Sequence, residues 1–431
     1  VGKHLAVNVT WTFVGNLASQ AITFLGFVLV ARTLGRSTYG QFALVYNAIL
    51  ATSTVAALGL GVTATKYVSQ YITTDHAKLS RILRLCSVVS ILSALTFTAL
   101  LLLLAPILAK SFFRASGLTD EFRLAGAYLF FQTFNGFQVG ALSGLQAFRS
   151  LAFLGLGSSA TLVTMLYWCT ALFGLRGAVF GLGLSGCIIS GAYHIVLRRE
   201  MRRRGMLHQR GELLDGTGSV ILNFSLPATV SGIMGSAAIW YCNALLSRQP
   251  NGFSEIALFS AANTLRLIVL FVPGILNRVS SPLLNELAAS CRPGLYRATF
   301  FFNLAGAVTV AALTAVLLSA LRPYVLALFG KDFVDPHQVT LILLVSAVVE
   351  VAATCLYQSV FVRSTLWPQV AVNFSWAVCL IGAAERLKDL GAAGLAWAYL
   401  LAWICGAAFY FCLLLLPRVR RQAGYSEGLA T

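Results

Sequence analysis

Residues 29–44 read "LVARTLGRSTYGQFAL". An apolar run ends, two arginines and two glycines intervene, and an apolar run resumes. In a soluble protein this is a surface loop; in a membrane protein it is a turn between two spans. The rest of the chain decides. Only 10% of the residues are charged and 58% are hydrophobic, whereas ordinary soluble domains carry about 25% charge. So few charges cannot cover the surface of a 431-residue globule. Apolar stretches of about 18 to 25 residues recur, each long enough to cross about 30 Å of hydrocarbon at 1.5 Å per residue. The chain reads as an all-α, polytopic membrane protein.

Twelve spans are expected, near 9–31, 41–65, 85–109, 124–147, 151–173, 177–197, 219–247, 255–278, 298–321, 338–362, 365–384 and 391–416. Short polar breaks separate them, and no loop is large enough to be a domain. The nine cysteines show no metal or disulfide spacing, and most lie inside apolar runs as small packing residues. The opening "VGKHLAVNVTWTFVGN" lacks the short apolar core and small-residue cleavage site of a signal peptide, so the first helix is expected to be retained.

Basic residues set the expected orientation. Of the 31 lysines and arginines, 19 fall on the loops that share a side with the N-terminus, 11 on the opposite loops, and Arg266 alone within a span. The positive-inside rule then places both termini in the cytoplasm. The net charge of +17 follows from that asymmetry and implies attraction to anionic membrane lipid. The "RREMRRRG" run is read in the same way, without a nucleic-acid partner. The opening stretch becomes an outward-facing turn, with Gly35 and Gly40 allowing the reversal and Arg32 and Arg36 at headgroup level.

That turn has an echo. Residues 245–259 read "LLSRQPNGFSEIALF". A shift of about 216 positions superposes Arg32 on Arg248, Asn47 on Asn263 and Arg81 on Arg297. Small slips add Pro106 on Pro323, Arg149 on Arg363, Gly177 on Gly394 and Tyr193 on Tyr410. The expected organisation is therefore a six-helix lobe over 1–197, a basic cytoplasmic linker over 198–218, a second six-helix lobe over 219–416 and a cytoplasmic tail over 417–431. Six crossings return a chain to its starting side, so the lobes would be related by a pseudo-twofold along the membrane normal, with a cleft between them.

The segments "NLASQAITFLGFVLVARTLGRSTYGQFAL" and "GLGVTATKYVSQY", with their second-half counterpart "ALFSAANTLR…GILNRVSSPLLNEL", resemble the Wzx-type polysaccharide and O-antigen flippases of the multidrug/oligosaccharidyl-lipid/polysaccharide exporter superfamily. The resemblance extends along the chain in helix number and repeat, and in motif over the first two helices and their echo. It implies a bacterial or archaeal cytoplasmic-membrane flippase that moves an undecaprenyl-pyrophosphate-linked oligosaccharide by alternating access. It also implies coupling to a proton or sodium gradient, with a polysaccharide polymerase complex as a candidate partner.

Two charges lie inside spans: Arg266 and Glu350, each about twelve residues from either end and so roughly 18 Å deep. A charge there costs about 2.5–3.5 kcal/mol on insertion scales and persists only beside a partner or a wet cavity. Two readings stand. In one, the residues form a buried ion pair that stabilises the second lobe. In the other, Arg266 binds the substrate pyrophosphate, which suits a guanidinium, and Glu350 is the ion-coupling site, because a carboxylate out of water exchanges protons near neutrality.

Further cleft candidates are polar residues at helical spacing. Thr12, Asn16, Ser19, Gln20 and Thr23 form a stripe on the first helix, where either helix packing or a cavity explains them. Asn47 and its echo Asn263 lie further along, and Asn263 is one turn from Arg266. Gln132, Asn135 and Gln138 interleave with phenylalanines. Lys66 and Arg32 are alternative pyrophosphate ligands. No Walker motif or metal-ligand spacing is present, so neither cofactor nor metal is expected. A drug/cation antiporter of the same superfamily is the main rival and would favour a carboxylate-rich cleft. A membrane glycosyltransferase, polymerase or ligase would need more than Asp120 and Glu121 in its outer loop.

Overall fold

The computed structural model describes the backbone over residues 2–72, 76–204, 217–289, 293–363 and 367–415, and the side chains over most of these. The tail over 417–431 lies outside the described residues, as does most of the linker beyond Arg204. Helices fill the rest: α1 (Gly2–Leu34), α2 (Arg36–Ala56), α3 (Leu60–Tyr71), α4 (His76–Ile107), α5 (Thr119–Gly144), α6 (Phe148–Arg203), α7 (Thr217–Ser247), α8 (Gly252–Ala289), α9 (Pro293–Phe329), α10 (Val339–Arg363), α11 (Trp367–Arg386) and α12 (Gly391–Leu415). No strand occurs among the described residues.

Hydrocarbon offers no partner for a backbone N–H or C=O, so every span must satisfy its own, and helices do so. The α2 and α3 helices meet at a bend of 45°, with Leu58 and Gly59 at positive φ between them, where the sequence indicates one span over 41–65. The 56 residues of α6 would run about 84 Å as a straight rod, nearly three hydrocarbon thicknesses. Gly174, at φ 58° and ψ −134°, breaks it into two arms. Eight helices, or nine with the bent α2–α3 pair, are long and apolar enough to cross a membrane among the described residues; with that pair counted once and α6 as two arms, the helical segments number about twelve, consistent with the sequence. Several overrun their expected ends because the apolar core fixes only the middle of a span, and polar turns extend it into the headgroups.

The opening stretch is a helix-to-helix turn. Gly35 at φ 76° carries the reversal between α1 and α2. Gly40 does not, contrary to expectation: it lies buried within α2 as a packing residue. Arg32 is exposed in the last turn of α1.

The unusual backbone positions repeat. Gly35 and Asn251, and likewise Arg114 and Gly330, share positive φ at a separation of 216 residues. Gly174 (φ 58°, ψ −134°) and Gly391 (φ 59°, ψ −132°) match almost to the degree, 217 apart. This region of φ and ψ is essentially reserved for glycine. At Gly391 a Cβ would also lie 2.7 Å from Glu255 Oε2, the atom that accepts from the Ala392 N–H at 2.8 Å and caps α12. Gly391→Ala should therefore destabilise the protein by about 1–3 kcal/mol. A thermal melt in detergent checks this, and an unchanged midpoint refutes it.

Packing divides the chain into Val1–Arg248 and Gln249–Thr431. In the first unit α3, α4, α5 and α6 enclose Leu60, Ala64, Val68, Ile82, Phe137, Leu142 and Tyr193. The backbones of α3 and α5 come so close that a Cβ on Gly140 would stand 2.1 Å from Gly61 O, the small-residue contact typical of membrane helices. The repeat register groups α7 with the second half, yet α7 packs here on the first. Trp240 Nε1 donates to Ala48 O at 3.0 Å, Ser247 Oγ to Phe113 O at 2.8 Å, and Arg248 to Phe112 O at 2.7 and 3.0 Å. The Phe112 and Phe113 carbonyls lie at a helix end, where acceptors are left free for such donors. In the second unit Ala353, Val372 and Tyr410 join α10, α11 and α12.

Candidate substrate and coupling site

The second unit brings its two intramembrane charges together. Arg266 on α8 and Glu350 on α10 form an ion pair, Nη2 to Oε2, and both side chains are nearly buried. The Arg266 Nη1 donates to Asn263 Oδ1 at 3.1 Å, one turn back on α8. The guanidinium carbon lies 5.6 Å from the Tyr399 ring centroid. Tyr399 is itself held by Phe259, at 5.4 Å between centroids, and by Trp376, edge-on at 6.2 Å. Carboxylate, amide and aromatic face thus share one cation, which offsets the cost of removing it from water. The buried Arg266 Nε finds no partner among the described residues, so one donor of the fork is left over.

The remaining candidates belong to the first unit. Gln132 and Asn135 meet in a pocket of about 150 Å³ between α5 and α6, with Tyr128, Ser158, Ser159 and Tyr193. The buried Asn135 Oδ1 has no partner among the described residues. On α1, Thr23 Oγ1 donates to Ser159 at 3.2 Å, so this end of the stripe joins α1 to α6. Asn16 is half-buried, Gln20 is exposed, and the side chain of Thr12 lies outside the described residues. Asn47 is half-buried on α2. Lys66 is exposed on α3, its Nζ 5.5 Å from the Tyr67 ring centroid.

Comparison with known proteins identifies the family. Residues 5–288 match the model of a family described as polysaccharide biosynthesis protein. The chain belongs to that family. The matched segment carries Asn263 and Arg266 but ends before Glu350. This polysaccharide biosynthesis family member is 24% identical over 429 residues to the EPS I polysaccharide export inner membrane protein EpsE of Ralstonia nicotianae, covering 94% of this chain and 91% of that one. It is 25% identical over 280 residues to the protein of the same name from Ralstonia solanacearum, covering 64% and 62%. Its fold is that of the MOP transporters. An inward-facing multidrug resistance MATE family transporter superposes with a TM-score of 0.73 at 16% identity, covering 96% of each chain. A MOP superfamily transporter from Pyrococcus furiosus superposes with a TM-score of 0.69 at 16% identity, covering 97% of this chain and 96% of that one. The EpsE proteins are named for polysaccharide export, and the superposed MATE structure for multidrug resistance.

Sequence reasoning missed a second polar cluster further along α8 and α10. Asn303 Nδ2 donates to Asn277 Oδ1 at 3.0 Å, Ser280 Oγ to Asn303 Oδ1 at 2.8 Å, and Gln358 Nε2 to Asn277 O at 2.9 Å. Glu350, Thr354 and Gln358 recur every fourth residue on α10, and that spacing was the available signal. It also missed the aromatic wall of Tyr399 and Trp376. In the first unit Asp120 and Glu121 are occupied by Arg176, at 3.5 Å each, which ties the start of α5 to the bend of α6.

Proposed function

We propose that the protein is a flippase that carries a polyprenyl-pyrophosphate-linked oligosaccharide across the cytoplasmic membrane by alternating access. The carrying observation is the buried Arg266–Glu350 pair with an unused guanidinium donor. A pyrophosphate is a better bidentate partner for a guanidinium than a single carboxylate oxygen. Substrate anion and Glu350 compete for Arg266. When the anion takes the fork, Glu350 loses its cation in a low-dielectric site and accepts a proton or a sodium ion. When Glu350 reclaims Arg266, the anion leaves. Exchange of this kind links sugar movement to an ion gradient without a nucleotide. Asn263 steers the fork, and the amides Asn16, Gln20, Asn47, Gln132 and Asn135 supply partners for sugar hydroxyls. Lys66 and Arg32 attract the anion, and the basic face attracts anionic lipid.

The direct test is reconstitution. Vesicles containing the protein should move a fluorescent lipid-linked oligosaccharide between leaflets faster when a proton or sodium gradient is imposed. Equal rates in protein-free vesicles would overturn the reading.

The orientation supports inward-to-outward export. With both termini inside, the 19-to-11 split of basic residues follows the positive-inside rule. Reporter fusions after Arg36 and after Lys331 should read outside, and fusions at Arg203 and Gln422 inside. A cytoplasmic reading at Arg36 would reverse the topology.

A further inference from the structure

The two arms of α6 enclose a groove of about 350 Å³ that the proposed transport step does not use. Ser150, Phe153, Gly157 and Thr161 line it from the first arm, and Ile188, Ala192 and Val196 from the second. We propose that this groove seats the isoprenoid chain of a polyprenyl phosphate, with the phosphate held by Arg149 at its basic end. The proposal deepens the flippase reading and rests on it.

Four observations carry it. First, the groove is apolar and open: Phe153 is 54% and Ile188 45% exposed, which in a membrane span means facing lipid. Second, its ends differ in charge. Arg149 stands beside the groove, its guanidinium carbon 5.9 Å from the ring centroid of the lining residue Phe153. The second arm ends in Arg198 and Arg199, both exposed, and Arg204 Nη2 donates to Leu145 O at 2.8 Å, which brings both arms to one end. None of Arg149, Arg198 and Arg199 has an ion-pair partner among the described residues. At the far end the arms instead expose Trp168 and Phe173, an aromatic interface belt.

Third, the length fits one leaflet. Ser150 to Thr161 spans about 16 Å at 1.5 Å per residue, about half of the hydrocarbon thickness. The basic end is the inner one by the same charge rule, so the chain enters from the leaflet where a phosphate meets cytoplasmic arginines. Fourth, the lining alternates the small residues Ser150, Gly157 and Ala192 with the bulkier Phe153, Ile188 and Val196. A methyl-branched chain packs against such an alternation, and competition by a two-chain phospholipid is the outcome that would contradict it. Ser158 and Ile189 line both this groove and the polar pocket of Gln132 and Asn135, so the seat for the chain adjoins amides suited to a sugar.

The experiment uses the full chain in phosphatidylethanolamine vesicles and a photoreactive polyprenyl phosphate probe. The probe should label peptides within 148–161 or 188–199. Unlabelled polyprenyl phosphate should compete, and the same amount of phosphatidylglycerol should not. A Cβ on Gly157 meets nothing within 4 Å, so Gly157→Leu has open space at its base from which to enter the groove. Gly157→Leu and Ala192→Leu should each cut labelling about tenfold, as expected when an apolar group loses its seat, and Gly157→Ala should not. Arg149→Gln should weaken labelling as well. Label confined to other helices, equal competition by phosphatidylglycerol, or full labelling of both filled variants would each overturn the proposal. The wild-type label map and competition stand even if a variant folds poorly. Protein that flips sugar but is not labelled in the groove removes this inference alone. Protein that is labelled but does not flip sugar removes the flippase reading.

Discussion

Glu350→Gln should lower the thermal midpoint of the detergent-purified protein sharply, and the double change Glu350→Gln with Arg266→Gln should restore it. The reason is asymmetric desolvation. Both side chains of the pair are more than four-fifths buried. Removing one partner leaves a charge without its counter-charge, at a cost of about 3–5 kcal/mol, whereas removing both removes the problem. Asn263 Oδ1 and the face of Tyr399 retain part of the stabilisation of Arg266, which sets the loss toward the lower end. A single mutant as stable as the wild type would mean that water reaches the pair, and the buried-pair energetics would fail.

The positions of these two charges were legible in the sequence; their pairing was not. Depth needs only the distance along a helix, and both residues sit near the middle of apolar runs. Pairing needs the register between α8 and α10, set by packing 84 residues apart in the chain. Asn263 was legible because one turn is a fixed spacing. Of the neighbouring amides, Gln358 carried a signal in its spacing from Glu350 and Thr354, but its meeting with Asn277 and Asn303 did not, since only the packing of α8, α9 and α10 collects them. The twelve spans followed from the rise per residue and the thickness of hydrocarbon. The break near residue 174 followed too, although not that the helix would run through it as one long element with a single glycine bend.

Repeat and packing carry different information, as α7 illustrates. The 216-residue register reflects the chain's internal duplication, and it is retained in dihedral angles that only a few residues tolerate, at Gly35 and Asn251 or Gly174 and Gly391. The partner of α7 is set by where Trp240, Ser247 and Arg248 find acceptors, which no period in the sequence states. Gly40 shows the same limit on a smaller scale: composition marked it as a turn residue, but only Gly35 adopts the positive φ, and Gly40 serves close packing within α2.

The double variant Arg266→Gln with Glu350→Gln separates structure from transport, because it should be as stable as the wild type and yet fail to move lipid-linked sugar. Two charge-assisted hydrogen bonds to a phosphate contribute about 1.5–3 kcal/mol each in a site away from water. Their loss corresponds to at least about a hundredfold in the transport rate at low substrate. Arg266→Lys, with Glu350 intact, keeps the ion pair but loses the planar fork, so it should fold normally and transport slowly. That ordering, wild type above Arg266→Lys above the double variant, is not expected of a pair that only braces α8 against α10. A bracing pair would give a double variant with full transport, since its stability is restored. Transport in vesicles measured beside the thermal melt decides between them, and a stable double variant at wild-type rate would move pyrophosphate binding away from Arg266, with Lys66 and Arg32 the next residues to change.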